Sequence, residues 1–194
     1  MGPRKAWLLL STVSMLMLTS CGSGLKHWTF FKPSLNDTTV FMGDSITQRW
    51  PLPEHNEGIP GQTTAQMLAR FQADVIGHGY KRVVILGGTN DTVLNPFDPS
   101  EVSDNIDAMS LMAQSAGIEV VLCTIPPAFD SSQRNERVIE ANQAITALAT
   151  AKGFLLVDYF TPLSGHPEDF IDGIHPNMSG YAVMEWTLAE TVTQ

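Results

Sequence analysis

Serine, histidine and aspartate are the side chains that carry out acyl transfer together, and this chain holds each of them at a turn. Ser45 ends the stretch Val40-Phe41-Met42-Gly43-Asp44-Ser45, an apolar run that breaks into polar residues. A serine hydroxyl is too weakly acidic to attack an ester unaided and needs a base within hydrogen-bond reach. His175 is the candidate base, because Asp172 lies three residues before it in Asp172-Gly173-Ile174-His175-Pro176. Side chains at i and i+3 stack in a tight turn, so Asp172 can accept from the ring and hold the tautomer that leaves its other nitrogen free for Ser45. His27, His55, His78 and His166 have no carboxylate at this spacing in a turn motif that follows a sheet strand.

An acyl-transfer site also needs donors aimed at the oxyanion of the transition state. A serine at a helix start offers its own backbone N–H, assisted by the positive end of the helix. Gly61, in Gly58-Ile59-Pro60-Gly61-Gln62-Thr63, can bring a backbone N–H close, and Asn90, in Gly87-Gly88-Thr89-Asn90-Asp91, supplies a side-chain N–H. Structural readings stand beside each of these. Ser45 and Asp172 are both residue types that cap helices, Thr89-Asn90-Asp91 also reads as a capping turn, and Gly58 competes with Gly61 for the donor's place. Asp44 and Asp91 read as residues that hold loops by hydrogen bonds rather than react.

The elements that must position these turns alternate along the chain. Strand-like runs at Thr39–Met42, His55–Gly58, Arg82–Leu86, Glu119–Ile125 and Phe154–Tyr159 are separated by helical periodicity at Gln62–Ala73, Ser100–Ala116 and Arg134–Ala151, with a last helix at Asn177–Val192. Uninterrupted apolar strands such as VVIL and VVLC are expected where helices cover both faces of a parallel sheet. The expectation is a doubly wound, flavodoxin-like three-layer α/β/α sandwich with a five-stranded parallel sheet in the order 2-1-3-4-5. In such sheets the ligand crevice lies beyond the carboxyl ends of the strands, where these turns fall.

The blocks GDSIT, GIPGQTT, GGTND and DGIHP occur in this order over most of the chain beyond residue 36. Together they resemble the SGNH hydrolases of the GDSL esterase superfamily. Asn56 to Thr63 further resembles the N-x-G-I-x-G-x-T pattern of compact bacterial members related to the platelet-activating-factor acetylhydrolase type. The resemblance implies Ser45 as nucleophile, Gly61 and Asn90 as oxyanion donors beside the Ser45 N–H, Asp172 and His175 completing a triad, and no metal or organic cofactor. The expected activity is hydrolysis of short acyl or acetyl esters, on small molecules or carbohydrate, through an acyl-enzyme. Hydrolysis of longer lysophospholipid or thioester chains, acyl transfer to a sugar, and a non-catalytic binding role are the alternatives.

The amino-terminal residues address the chain outward. Arg4 and Lys5 precede an uncharged apolar stretch from Ala6 to Leu18, and Leu18-Thr19-Ser20-Cys21 resembles a bacterial lipobox. That resemblance implies a signal over residues 1–20, lipidation at Cys21, a tether over 21–36 and a hydrolase domain over 37–194. It places the protein in the cell envelope on a lipid anchor, at the periplasmic face of the outer membrane in a Gram-negative host. Loss of Arg4 and Lys5 takes the formal charge from -9 to -11. So acidic a chain repels polyanions, which excludes nucleic acid as an expected partner. The 43% hydrophobic content suits a packed core. Cys123, inside the apolar run Val120–Ile125, reads as a buried structural thiol.

Overall fold

The computed structural model describes residues 38–51 and 53–192. The signal, Cys21 and the tether lie outside the described residues. Five strands, β1 (Thr39–Gly43), β2 (His55–Gly58), β3 (Arg82–Leu86), β4 (Glu119–Cys123) and β5 (Leu155–Val157), form one sheet ordered β2-β1-β3-β4-β5, with every pairing parallel. The helices are α1 (Ser45–Gln48), α2 (Thr64–Val75), α3 (Pro99–Ser115), α4 (Ser132–Lys152), α5 (Phe160–Leu163) and α6 (Met178–Val192). The expected three-layer sandwich and its strand order are therefore present. No helix among the described residues is long and apolar enough to cross a membrane.

Two cores explain why the strands are apolar throughout. On one face Val40, Met42, Val83, Ile85, Val120 and Leu122 meet Met67 and Phe71 of α2, Ile106 and Met109 of α3, and Ile145 of α4. On the other, Phe41, Val84, Leu86, Val121, Cys123 and Val157 meet Ile46, Trp50, Leu163, Tyr181, Met184 and Leu188. Successive side chains of each strand thus enter opposite layers, as the period of two requires. Cys123 is buried, as its surroundings in sequence indicate, and burial pushes its thiol up and out of the reactive range.

Several boundaries differ from the periodicity for local reasons. The second helix starts at Thr64 because Thr63 forms a capping box with Gln66, which leaves Gln62 in the preceding loop. Strand β4 stops at Cys123 because Ile125 exchanges its backbone bonds with the buried Asn142 side chain of α4. Strand β5 stops at Val157 because Asp158 Oδ1 accepts from the N–H groups of Phe160 and Thr161 and from the Thr124 hydroxyl, starting α5. The single-turn helices α1 and α5 are too short to leave a periodic signal.

Candidate active site

The turn after β1 is tight enough to exclude a side chain at its first position. A Cβ on Gly43 would overlap the Thr47 side chain and approach the Leu86 carbonyl to 2.6 Å. The cap of α1 is Asp44 rather than Ser45: Asp44 Oδ1 accepts from the Ile46 N–H at 2.9 Å. Ser45 is the first helical residue, so its own N–H has no place in the helix ladder. The macrodipole assistance expected there is small, because α1 is only one turn long. Tyr181 of α6 donates its hydroxyl to the Ile46 carbonyl at 2.7 Å and fixes this turn from within the same layer.

Ser45 lies 2.9 Å from His175, measured from Oγ to Nε2, and His175 Nδ1 lies 2.7 Å from Asp172 Oδ2. Asp172 Oδ1 also accepts from the N–H groups of Ile174 and His175. Burial acts to raise the Asp172 carboxyl, but these donors and the His175 ring outweigh it and hold it at about 2. An ionised Asp172 can only accept, so Nδ1–H donates to it, Nε2 is left as an acceptor, and the Ser45 hydroxyl donates to Nε2. The turn bearing the pair is clamped on both sides. The Ile171 N–H donates to the His175 carbonyl at 2.8 Å, and the Phe129 N–H donates to the Gly173 carbonyl at 2.7 Å. Gly173 has a φ of +82°, and a Cβ there would sit 2.9 Å from the Asp130 nitrogen, so turn shape and packing both call for glycine.

The two glycines of the second turn differ. Gly58 donates its N–H to Asn56 Oδ1 at 2.9 Å, and a Cβ on it would overlap the backbone of Gln48. Asn56 also donates to the Thr47 carbonyl at 2.7 Å, so it ties the end of β2 to α1. Gly61 is exposed, with φ +78°, and among the described residues no atom beyond its chain neighbours lies within 4 Å of where its Cβ would be. Glycine is needed at 61 for its backbone angle, not to relieve crowding by the protein. Its N–H takes part in none of the turn's hydrogen bonds among the described residues.

Asn90 begins a 3-10 turn, and its side chain makes no capping bond there. Its Nδ2 donates instead to the Gln62 carbonyl at 2.9 Å and to Asp44 Oδ2 at 3.2 Å. The neighbouring Asp91 accepts from the N–H and hydroxyl of Thr64, which attaches the third turn to the start of α2. Asp44 is fully buried, and burial, reinforced by Asp91, pushes its carboxyl up to about 7 against the pull of the Ile46 N–H. Asp44 and Asp91 hold loops, as their sequence context indicates.

The structure brings Ser45, Asp172 and His175 into one hydrogen-bonded chain and hangs Asn90 on the Gly61–Gln62 turn. Sequence reasoning missed Arg70, Asn142 and Tyr181. Arg70 had one signal, a cation on the border of the apolar stripe of α2, three residues from the buried Met67. A groove of about 770 Å³ between α4 and β5, bordered by Ile139, Thr146, Leu156 and Phe160, touches none of the three chain members.

A parallel five-stranded sheet with helices on both faces, bearing these four blocks at its carboxyl edge, defines a hydrolase of the SGNH fold. The family model for GDSL-like lipase/acylhydrolase proteins matches residues 36–183, and the chain belongs to that family. No curated protein matches. Among solved structures, a GDSL-like lipase from Bacteroides thetaiotaomicron is 31% identical, with a TM-score of 0.73 over 80% of this chain and 87% of that one. A lipase/acylhydrolase from Enterococcus faecalis (23% identity, TM-score 0.72, 79% and 94% covered) and an acetylxylan esterase from Geobacillus stearothermophilus (17%, 0.69, 80% and 94%) share the fold. Family and fold make the chain an esterase-type hydrolase.

Proposed function

We propose that this hydrolase cleaves short acyl esters, acetyl esters above all, through a covalent acyl-enzyme on Ser45. The observation that carries the reading is the unbroken relay from Asp172 through His175 to the Ser45 hydroxyl, with contacts of 2.7 and 2.9 Å. As Ser45 Oγ attacks the ester carbonyl, its proton passes to His175 Nε2, and Asp172 stabilises the imidazolium that forms. The tetrahedral oxyanion is met by the N–H groups of Ser45 and Gly61 and by Asn90 Nδ2. The 3.2 Å bond from Asn90 to Asp44, the longer of its two, is the one that yields. Collapse expels the alcohol, which takes the proton from His175. A water then gives its proton to His175 as it attacks the acyl-enzyme, and collapse releases the acid while Ser45 Oγ takes that proton back from His175.

The short-acyl preference is supported by the openness of the site, since Gly61 is exposed and the Asp172 side chain is 48% exposed. An ester group projecting from a carbohydrate can enter such a site. A second reading, longer acyl chains, is favoured by the exposed apolar side chains on the same turns: Ile59, Val93, Leu94, Phe129 and Ile171. In the cell the enzyme is proposed to sit on a lipid anchor at Cys21 in the envelope, at the periplasmic face of the outer membrane in a Gram-negative host. Hydrolysis of p-nitrophenyl esters from acetyl to palmitoyl, with Ser45→Ala as control, tests the function. Activity is expected to peak at two to four carbons and to vanish in the variant. A maximum at long chains refutes the short-acyl preference, and undiminished turnover by Ser45→Ala refutes the mechanism.

A further inference from the structure

Arg70 is the one cation of α2, yet its side chain is only 14% exposed and turns toward the sheet edge. Its Nη2 donates to the carbonyls of Gly43 at 3.0 Å and Glu57 at 2.7 Å, the ends of β1 and β2. Its Nε donates to Gln62 Oε1 at 2.6 Å, and Nη1 pairs with Asp74 at 2.6 Å. Each acceptor other than Asp74 adjoins a part of the site. Gly43 lies two residues before Ser45, Glu57 leads into the glycine turn, and Gln62 follows Gly61 directly. The Gln62 carbonyl in turn receives Asn90 Nδ2.

The Gly61 turn has little else to hold it. Its internal hydrogen bond, from the Gln62 N–H to the Ile59 carbonyl, is 3.4 Å long, and among the described residues only its chain neighbours lie within 4 Å of where a Gly61 Cβ would be. A planar guanidinium with donors in a fixed fork can lock three separate segments at once, which the single ammonium of lysine cannot. We propose that Arg70 is a positioning residue that acts through Gln62 to fix the Gly61 N–H and the Asn90 amide relative to Ser45. This rests on the ester-hydrolase reading. Because Asn90 hangs on the backbone of the residue whose side chain Arg70 grips, movement of Gln62 displaces both donors together.

The test separates positioning from stability through two isosteres and a lysine. Gln62→Met removes the acceptor for Nε at similar length, Gln62→Glu keeps an acceptor, and Arg70→Lys keeps the charge without the fork. The kcat and KM for p-nitrophenyl acetate, the rate of Ser45 labelling by a p-nitrophenyl phosphonate, and urea midpoints are measured on the full chain. Gln62→Met is expected to lower kcat and the labelling rate about tenfold with KM within twofold, and Gln62→Glu to restore both. Arg70→Lys is expected to lower them by about 100-fold, the scale on which small misplacement of a reacting geometry acts. Wild-type kcat in Gln62→Met, or equal impairment in the Met and Glu variants, overturns the inference. In either case Ser45-dependent hydrolysis by the wild type leaves the hydrolase reading standing. A wild type with neither Ser45-dependent hydrolysis nor labelling overturns both.

Discussion

Replacing Asp44 by asparagine changes how stability depends on pH, and the size of the change follows from where the carboxyl sits. Asp44 is 1% exposed and lies against the Ile46 N–H, the Asn90 amide and the neighbouring acid Asp91, with Tyr181 approaching from α6. Its carboxyl is raised from 3.8 to about 7, so between those values the folded protein keeps a proton that the unfolded chain has released. Stability linked to this group is present in full below about pH 4 and is lost as pH rises to about 7. At about 1.4 kcal/mol per tenfold change in proton affinity, the loss is about 4 kcal/mol. Asparagine keeps an oxygen for the Ile46 N–H and does not titrate, so the variant lacks this slope. The assay is urea unfolding of both proteins at intervals from pH 4 to pH 8, taking wild type minus Asp44→Asn. Carboxyls and histidines that do not interact with Asp44 cancel in that difference, which leaves Asp44 and its coupling to Asp91. It is expected to become less favourable to wild type by about 4 kcal/mol across the series, most of it between pH 4 and 7. Parallel profiles, differing by a constant offset, refute the claim that a buried carboxyl beside Asp91 resists ionisation.

The remaining predictions concern the donors. Asn90→Ala is expected to lower kcat for an aryl acetate by about 10²–10³ with KM changed less than threefold, the loss typical of one oxyanion donor; a change confined to KM contradicts that role. Gly58→Ala forces a methyl onto the Gln48 backbone and is expected to cost about 3 kcal/mol of stability in urea unfolding. Gly61→Ala meets no atom among the described residues beyond its chain neighbours and loses about 1 kcal/mol through its positive φ, so its larger effect falls on kcat. Equal destabilisation by the two alanines runs against the distinction drawn between the glycines.

What the chain reveals by inspection depends on the range of the interaction that fixes it. Asp172 and His175 are three residues apart and joined by a local turn, so their pairing is legible before any fold is known. The meeting of His175 with Ser45 spans 130 residues and becomes readable only because strand order brings four marked turns to one edge. Arg70 belongs to a third case. Apart from Asp74 one turn along its own helix, its acceptors are two main-chain carbonyls and one amide side chain, and a carbonyl carries no residue-type signal that sequence can show. The same blindness hides the cap. Ser45 and Asp44 are both cap formers, and what assigns the task to Asp44 is its non-helical backbone, φ -104° and ψ -146°, from which its side chain reaches the Ile46 N–H. That assignment has a chemical consequence. Asp44 takes the capping bond with Ile46, and the Ser45 hydroxyl is left to His175. A serine that capped its own helix would accept a backbone N–H on the oxygen that has to attack the ester, which ties up a nucleophilic lone pair even while its O–H still donates to the ring. The aspartate in the motif therefore frees the serine beside it, and the helix start that makes Ser45 look structural is what leaves it available to react.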